Sequence, residues 1–122
     1  MWPFDPKPSQ TLTFRSVDAG FAAAGQIRPE DMPKIAEAGF KTVLCARPDH
    51  EEGGQPEFAL IARAAKEAGL QAVHIPVSGL LGEGHIIRME RALAELPTPI
   101  LGYCRSGARA ISLYSTTRRA LS

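Results

Sequence analysis

The sequence predicts a three-layer α/β sandwich around a mostly parallel sheet, and two observations support this prediction. Short apolar segments of strand-like composition alternate along the chain with segments whose apolar residues recur at helical spacing. The run from Thr42 to Ala46 is continuously apolar, as expected of a strand that is covered on both faces. Alternating strands and helices connect through right-handed crossovers, which place helices on both sides of the sheet.

The first elements are expected to be a hairpin, a helix and a buried strand. Strand-like segments from Thr11 to Val17 and from Phe21 to Gln26 flank the turn residues Asp18-Ala19-Gly20, which predicts an opening hairpin. A helix is expected from Pro29 to Gly39, because proline and the acids after it suit a first turn and glycine suits the end. The strand Lys41 to Ala46 follows.

The same alternation continues through the second half of the chain. We expect a helix from Pro56 to Gly69, a strand from Gln71 to Val77, a helix from His85 to Leu96, a strand from Thr98 to Tyr103 and a closing helix from about Ala108.

The length and composition predict one globular domain over residues 11–122. The chain has 122 residues, of which 44% are hydrophobic and 22% charged, the proportions of an ordinary globular protein with one core. Residues 1–10 are expected to form an extended N-terminal arm, because three prolines in the first eight residues disfavour both helix and strand.

Charge and cysteine content exclude several classes of function. Lys and Arg number 14 against 13 acidic residues, so we expect neither nucleic acid nor a membrane surface as a partner. Two cysteines without a surrounding set of metal-ligating residues indicate free thiols, no metal site and no cofactor. The sequence shows neither a secretory signal nor a membrane-spanning segment, and we therefore expect a cytoplasmic protein.

The segment Cys104-Arg105-Ser106-Gly107-Ala108-Arg109 lies between the last strand and the closing helix. Backbone N–H groups in such a loop, together with the positive end of the helix dipole, form a cradle for an anion. The same field stabilises a thiolate over a thiol. We therefore predict that Cys104 is a catalytic nucleophile, whereas Cys45, inside an apolar strand, is expected to be a core residue.

The other residues of the loop are predicted to bind the substrate. Gly107 permits a backbone conformation that a side chain would block. Arg109 can donate two hydrogen bonds to an oxyanion and is predicted to be catalytic with Cys104. Arg105, Ser106, Gly107 and Ala108 are expected to contribute mainly backbone N–H groups.

Six short segments together resemble one bacterial family. They are Gly25-Gln26-Ile27, Ala38-Gly39-Phe40, Arg47-Pro48-Asp49, Gln55-Pro56, His74-Ile75-Pro76-Val77 and Tyr103-Cys104-Arg105-Ser106-Gly107. In this combination the chain, over about residues 11–120, resembles the phosphatase-like domain of the beta-lactamase-hydrolase-like proteins, which are related to dual-specificity phosphatases and are also described as sulfur transferases. The resemblance implies a protein-tyrosine-phosphatase-like fold.

The spacing within the loop favours sulfur transfer over phosphate hydrolysis. Four residues separate Cys104 from Arg109, whereas five do so in tyrosine phosphatases, and the shorter spacing is similar to that of rhodanese loops. Phosphatases also need an acid to protonate the leaving alkoxide. The loop from Ser78 to Glu83 contains no aspartate, which leaves Asp49 and Glu83 as candidate acid/base residues.

We therefore predict a sulfurtransferase that carries sulfane sulfur as a Cys104 persulfide and delivers it to a thiol acceptor. The alternative is a phosphatase that acts through a Cys104 phosphocysteine, and a third possibility is a non-catalytic module that binds anions or senses oxidation. The expected partners are a small anionic sulfur or phosphate substrate, a thiol acceptor and a persulfide-oxidising enzyme of the metallo-hydrolase type.

Overall fold

One sheet of five strands organises residues 12–122, which are the residues that the computed structural model describes. The strands are β1 (Arg15–Asp18), β2 (Phe21–Ala24), β3 (Thr42–Cys45), β4 (Gln71–His74) and β5 (Ile100–Tyr103). Their order across the sheet is β1-β2-β5-β3-β4. The β1–β2 pair is antiparallel, and β2, β5, β3 and β4 are parallel to one another. The predicted, mostly parallel sheet is therefore confirmed.

The described residues also contain four α-helices. They are α1 (Met32–Glu37), which continues a 3-10 turn at Pro29–Asp31, α2 (Phe58–Glu67), α3 (Glu83–Glu95) and α4 (Ala108–Leu121). Gly39 and Gly69, with φ of 103° and 82°, follow α1 and α2 and end them in the left-handed conformation. Within residues 12–122, no helix is long and apolar enough to cross a membrane.

The helices cover both faces of the sheet, which confirms the three-layer sandwich. Residues of α1 and α2 pack on one face, with Met32, Ile35, Ile61 and Ala65 in one core cluster. Residues of α3 and α4 pack on the other face, with Met89, Ala92, Leu113 and Tyr114 in a second cluster. Along β3, Val43 belongs to the first cluster and Leu44 to the second. This two-sided burial explains why that strand is continuously apolar.

All five strands are shorter than the sequence predicted, and the difference is largest for the first and the fourth. The first begins at Arg15 rather than Thr11, although the hairpin itself is confirmed, and the N–H of Gly20 donates to Asp18 Oδ1 over 2.8 Å in its turn. The strand β4 ends at His74 rather than Val77, and Pro76 lies in the extension of this edge strand with its ring nitrogen on the side away from β3. The N–H groups of Ile75 and Val77 still donate to carbonyls of the segment that continues β3. The predicted arm, residues 1–10, lies outside the described residues.

The topology decides where a site can form. The parallel strands β2, β5 and β3 end at the same edge of the sheet, so the residues that follow them lie side by side. Gly25 follows β2, Cys104 follows β5 and Arg47 lies two residues after β3. In parallel sheets ligands bind beyond this edge.

Candidate active site

Cys104 lies at the carboxyl end of β5, between its two neighbouring strands. Its N–H donates to the carbonyl of Ala24 over 3.4 Å, and the carbonyl of the preceding residue, Tyr103, accepts from the N–H of Ala46 over 2.8 Å. The residue is buried, with 1% of its surface exposed. The position of the sulfur is therefore fixed by strand pairing on both sides of β5.

Two glycines allow the cysteine loop to fold tightly against the end of β2. Gly107 has a φ of 97°, and a Cβ there would lie 3.3 Å from the carbonyl oxygen of Ala24. A Cβ on Gly25 would lie 3.0 Å from the carbonyl oxygen of Arg105. Because both opposing atoms belong to the backbone, a side chain at either position would force the backbone apart by a few tenths of an ångström, and glycine avoids this shift.

Backbone N–H groups surround the sulfur of Cys104. The N–H of Gly107 donates to Sγ over 3.0 Å. Burial raises the pKa of the Cys104 thiol, but hydrogen bonds from the N–H groups of Ala110, Ser106, Arg109 and Gly107 lower it, and the net effect is a pKa below the ordinary value. The start of α4, which carries the positive end of its dipole, lies at the same place. The backbone N–H groups of the loop therefore converge on the sulfur, and the binding of a substrate anion by this cradle stays a prediction.

Arg109 contacts a carboxylate that the sequence analysis did not single out. Its Nη1 and Nη2 donate to the two oxygens of Glu51 over 2.7 and 2.8 Å, and Nη1 also donates to the carbonyl of Val77 over 2.9 Å. The hydrogen bond with Glu51 is the main cause of the raised pKa of Arg109, and Cys104 contributes to it. The guanidinium therefore interacts with Glu51 and with the sulfur.

Arg47 connects this pair to the second arginine of the loop. It is 2% exposed, and it donates to Glu51 through Nε, to Glu52 through Nη2 and to Gln26 through Nη1, each over 2.8 Å. Glu52 in turn lies 3.3 Å from Nη2 of the exposed Arg105. Arg47 and its carboxylates were not among the predicted site residues. The available signal was the Glu51-Glu52 pair, which follows Arg47 in a polar loop after a buried strand.

The remaining predicted substrate-binding residues differ in their exposure. Gly107 is buried at the turn, whereas Ser106 and Ala108 are exposed. The hydroxyl of Ser106 accepts a hydrogen bond from the N–H of Ala108 over 3.3 Å. Their role in binding stays a prediction.

The two candidate acids occupy different environments, and neither is brought against the sulfur by a hydrogen bond. Asp49 accepts a hydrogen bond from the N–H of Phe58 over 2.8 Å and thereby holds the first turn of α2. Glu83 is the first residue of α3 and is exposed. The carboxylates that contact the loop are instead Glu51 and Glu52, and the hydrogen bond with Arg109 lowers the pKa of Glu51 to about 2.

Cys45 lies on the opposite face of the sheet from Cys104. It belongs to the core cluster of α1 and α2, whereas Cys104 belongs to the cluster of α3 and α4. Its Sγ donates to the carbonyl of Arg47 over 3.2 Å, and burial raises the pKa of its thiol. These contacts agree with the expected core position.

The fold and the cysteine loop together define a cysteine-based, phosphatase-like enzyme of the protein-tyrosine-phosphatase-like class. Residues 13–121 match the family described as "Beta-lactamase hydrolase-like protein, phosphatase-like domain", and the chain belongs to this family. The family predicted from the sequence is thereby confirmed. The likeness of the loop to rhodaneses stays a prediction.

Known proteins support both the family and the fold. The Beta-lactamase hydrolase-like protein of Agrobacterium fabrum is 40% identical over 92 residues, which cover 75% of this chain and 21% of that protein. The chain thus spans about a fifth of the length of the curated relatives it matches. A candidate phosphatase from Neisseria meningitidis has a TM-score of 0.81 at 30% identity and covers 92% of this chain and 80% of its own. The core catalytic domain of the PP-IP phosphatase Siw14 from S. cerevisiae, 22% identical, shares the fold with a TM-score of 0.64 over 87% of this chain and 64% of its own.

Proposed function

We propose that the protein is a sulfurtransferase in which the Cys104 thiolate carries sulfane sulfur. The thiolate attacks the outer sulfur of a donor, the donor's S–S bond breaks, and the donor leaves with the electron pair as a thiolate or as sulfite. A thiolate acceptor then attacks the outer sulfur of the Cys104 persulfide, and Cys104 leaves as a thiolate. Atoms and charge balance without an added oxidant or reductant.

The state of the neighbouring carboxylates is the observation that carries this proposal. Hydrolysis of a phosphate monoester needs an acid to protonate the leaving alkoxide, whereas sulfite and thiolates leave as stable anions. Glu51 is held by Arg109 and Arg47, and its pKa of about 2 keeps it ionised at neutral pH. Asp49 is engaged with the start of α2. A reaction that needs no proton donor suits this environment best.

A phosphatase that works through a Cys104 phosphocysteine is the second candidate, and the cradle itself favours it. N–H groups that converge on a thiolate can also stabilise the oxygens of a phosphoryl group in flight. The neighbours from Neisseria meningitidis and S. cerevisiae are described as phosphatases. In this candidate Asp49 or Glu83 would have to act as the acid.

The two candidates predict different covalent adducts on Cys104. The protein is incubated with thiosulfate or glutathione persulfide, and the peptide that contains Cys104 is examined by mass spectrometry. Sulfur transfer predicts one added sulfur on Cys104, removable by an acceptor thiol and absent in Cys104→Ser. Cys45→Ala is the matched control and should keep the adduct, because Cys45 lies on the other face of the sheet.

Turnover of an aryl phosphate tests the alternative directly. Brisk hydrolysis that Cys104→Ser abolishes and Asp49→Asn or Glu83→Gln slows, without any persulfide on Cys104, would replace the sulfurtransferase by the phosphatase. Absence of both the adduct and hydrolysis would leave an anion-binding or redox-sensing module.

The acceptor and any partner enzyme belong to the same proposal. We propose a small thiol as the acceptor and a persulfide-oxidising enzyme of the metallo-hydrolase type as a functional partner. The matched segments cover only 21% and 23% of the relatives, so the rest of the relatives' length is where such an activity can be sought.

A further inference from the structure

Five charged side chains form an alternating network around the mouth of the cradle, which we call the ion network. Its members, in order of contact, are Arg105, Glu52, Arg47, Glu51 and Arg109. Three positive and two negative charges leave a sum of +1, and the Cys104 thiolate reduces this sum to zero. The loop therefore has two arginines but no excess of positive charge.

Glu51 neutralises Arg109 without using all of its donors. A guanidinium has five N–H groups, and three of those of Arg109 donate to Glu51 and Val77. The other two can still donate to a bound group. Arg109 can thus orient a substrate, but its charge is already opposed by a carboxylate at 2.7 Å.

Arg47 prevents Glu51 from moving aside when an anion arrives. Arg47 is 2% exposed and depends on Glu51, Glu52 and Gln26 for its hydrogen bonds. Withdrawing Glu51 would leave a buried guanidinium with fewer partners, which is costly. A second negative charge in the cradle therefore meets a fixed carboxylate rather than replacing it.

We propose that Glu51 and Glu52 are specificity-determining residues that select sulfur donors whose reacting group carries at most one negative charge. An organic persulfide meets this condition, whereas a phosphate monoester and thiosulfate, both dianions, are disfavoured. The proposal deepens the proposed function and rests on it for the identity of the donor. The backbone N–H groups of the cradle bind the donor, and the two carboxylates limit the negative charge that its reacting group can carry.

Protection of Cys104 from alkylation measures this selection without any sulfur transfer. Iodoacetamide labels the protein at pH 8, the label on the Cys104 peptide is quantified by mass, and each variant is compared with its own unprotected rate. Inorganic phosphate, mainly a dianion at this pH, is one protecting probe, and nitrate, a monoanion, is the other. The half-protecting concentration of each probe gives its affinity for the cradle.

Glu51→Gln should lower the half-protecting concentration of phosphate about tenfold and that of nitrate only about threefold, because the Coulomb energy with the removed carboxylate doubles with the charge of the probe. Glu52→Gln should act in the same direction with a smaller effect, because Glu52 contacts the exposed Arg105. Glu67→Gln is the matched control, since this exposed residue ends α2 at the other edge of the sheet and should change neither value.

An unchanged or increased half-protecting concentration of phosphate in Glu51→Gln, in a protein whose thermal unfolding still shows the native fold, would overturn the proposal. Glu51 would then serve to hold Arg109 in place. If Glu51→Gln is unfolded, Glu52→Gln decides alone by the same criterion. Because the assay needs no persulfide, its outcome is separate from the adduct experiment that tests sulfur transfer.

Discussion

At the residue scale, Gly107 decides the shape of the cysteine loop. Its φ of 97° belongs to the left-handed region. The residue directly precedes α4, and its N–H donates to the Cys104 sulfur. The sequence predicted a glycine with special backbone freedom here from its position in the loop. It did not reveal the close approach to Ala24, which is 83 positions earlier in the chain (107 − 24) and lies on another strand.

Gly107→Ala should lower the free energy of unfolding by about 1–2 kcal/mol, because an L-residue is strained in this conformation. It should also slow alkylation of Cys104 at neutral pH, since the displaced N–H no longer stabilises the thiolate. Urea unfolding and labelling with iodoacetamide measure the two effects. Gly84→Ala, in α3 with open space around its Cβ position, is the control: it should leave the alkylation rate unchanged and raise the free energy of unfolding by at most about 1 kcal/mol, because alanine favours a helix.

Glu51 should make the free energy of unfolding depend on pH in the acidic range. Its hydrogen bond with Arg109 lowers its pKa from 4.5 to about 2, so its contribution is fully present above pH 4.5 and disappears as the pH falls towards 2. The contribution is about 1 kcal/mol, because solvent screens the pair. Urea unfolding at pH 6 and at pH 2.5 measures it.

The comparison with Glu51→Gln isolates this contribution. The variant should lose less stability between the two pH values than the wild type, whereas Glu67→Gln should behave like the wild type. An identical pH dependence in Glu51→Gln and the wild type would show that the ion pair with Arg109 does not stabilise the fold.

At the scale of elements, α4 holds the opening hairpin against the sheet. The ring of Tyr114 stacks on Phe21 of β2 with centroids 4.2 Å apart, and its hydroxyl donates to Asp18 at the end of β1. Within the sheet, the hairpin is joined to the other strands only through the pairing of β2 with β5, so the contact of Tyr114 adds a second attachment. Neither partner could be assigned to the other from the sequence, because 96 positions separate Tyr114 from Asp18.

Tyr114→Phe should lower the free energy of unfolding by about 1 kcal/mol, since it removes the hydrogen bond and keeps the stacked ring. Urea unfolding provides the measurement. Ser112→Ala, at an exposed position of the same helix, should stay within about 0.5 kcal/mol of the wild type. Equal stability of Tyr114→Phe and the wild type would mean that the hydroxyl does not fasten the hairpin.

At the scale of the whole molecule, two core clusters share one sheet. Ile61 of α2 lies in one cluster, and Ile75, after β4, lies in the other, and both are fully buried. The strands β2, β3 and β5 contribute residues to both clusters. Loss of packing on one face should therefore weaken the sheet that supports the other.

Ile61→Val and Ile75→Val should each lower the free energy of unfolding by about 0.5–1.5 kcal/mol, because each removes one buried methylene. In both variants, far-UV and near-UV circular dichroism should report one coincident urea transition. The pair is internally matched, since the same change is made on opposite faces. Separate transitions in either variant would contradict the predicted single domain over residues 11–122.

Local patterns were sufficient for the order of the elements and for the nucleophile. Hydrophobic periodicity predicted the strands and helices, glycine and proline predicted where they end, and the glycine-containing loop after Tyr103 predicted Cys104 as the nucleophile. Each of these signals depends on residues close together in the chain. Exact strand ends were missed, as at β4, which ends at His74 although the N–H groups of Ile75 and Val77 still donate to the neighbouring segment. The sequence placed the acid candidates Asp49 and Glu83 near the correct edge of the sheet, but it did not predict which groups their side chains contact.

The sequence by itself determined the alternation of strand and helix and the cysteine loop, since both are encoded within a few neighbouring residues. Only the tertiary structure decided which charges surround that loop. The crossover that places β3 beside β5 brings Glu51 to Arg109 across 58 positions and buries Arg47 between Glu51 and Glu52. Such contacts depend on strand order, which has no local signal, and they determine the charge that the cradle presents to a substrate.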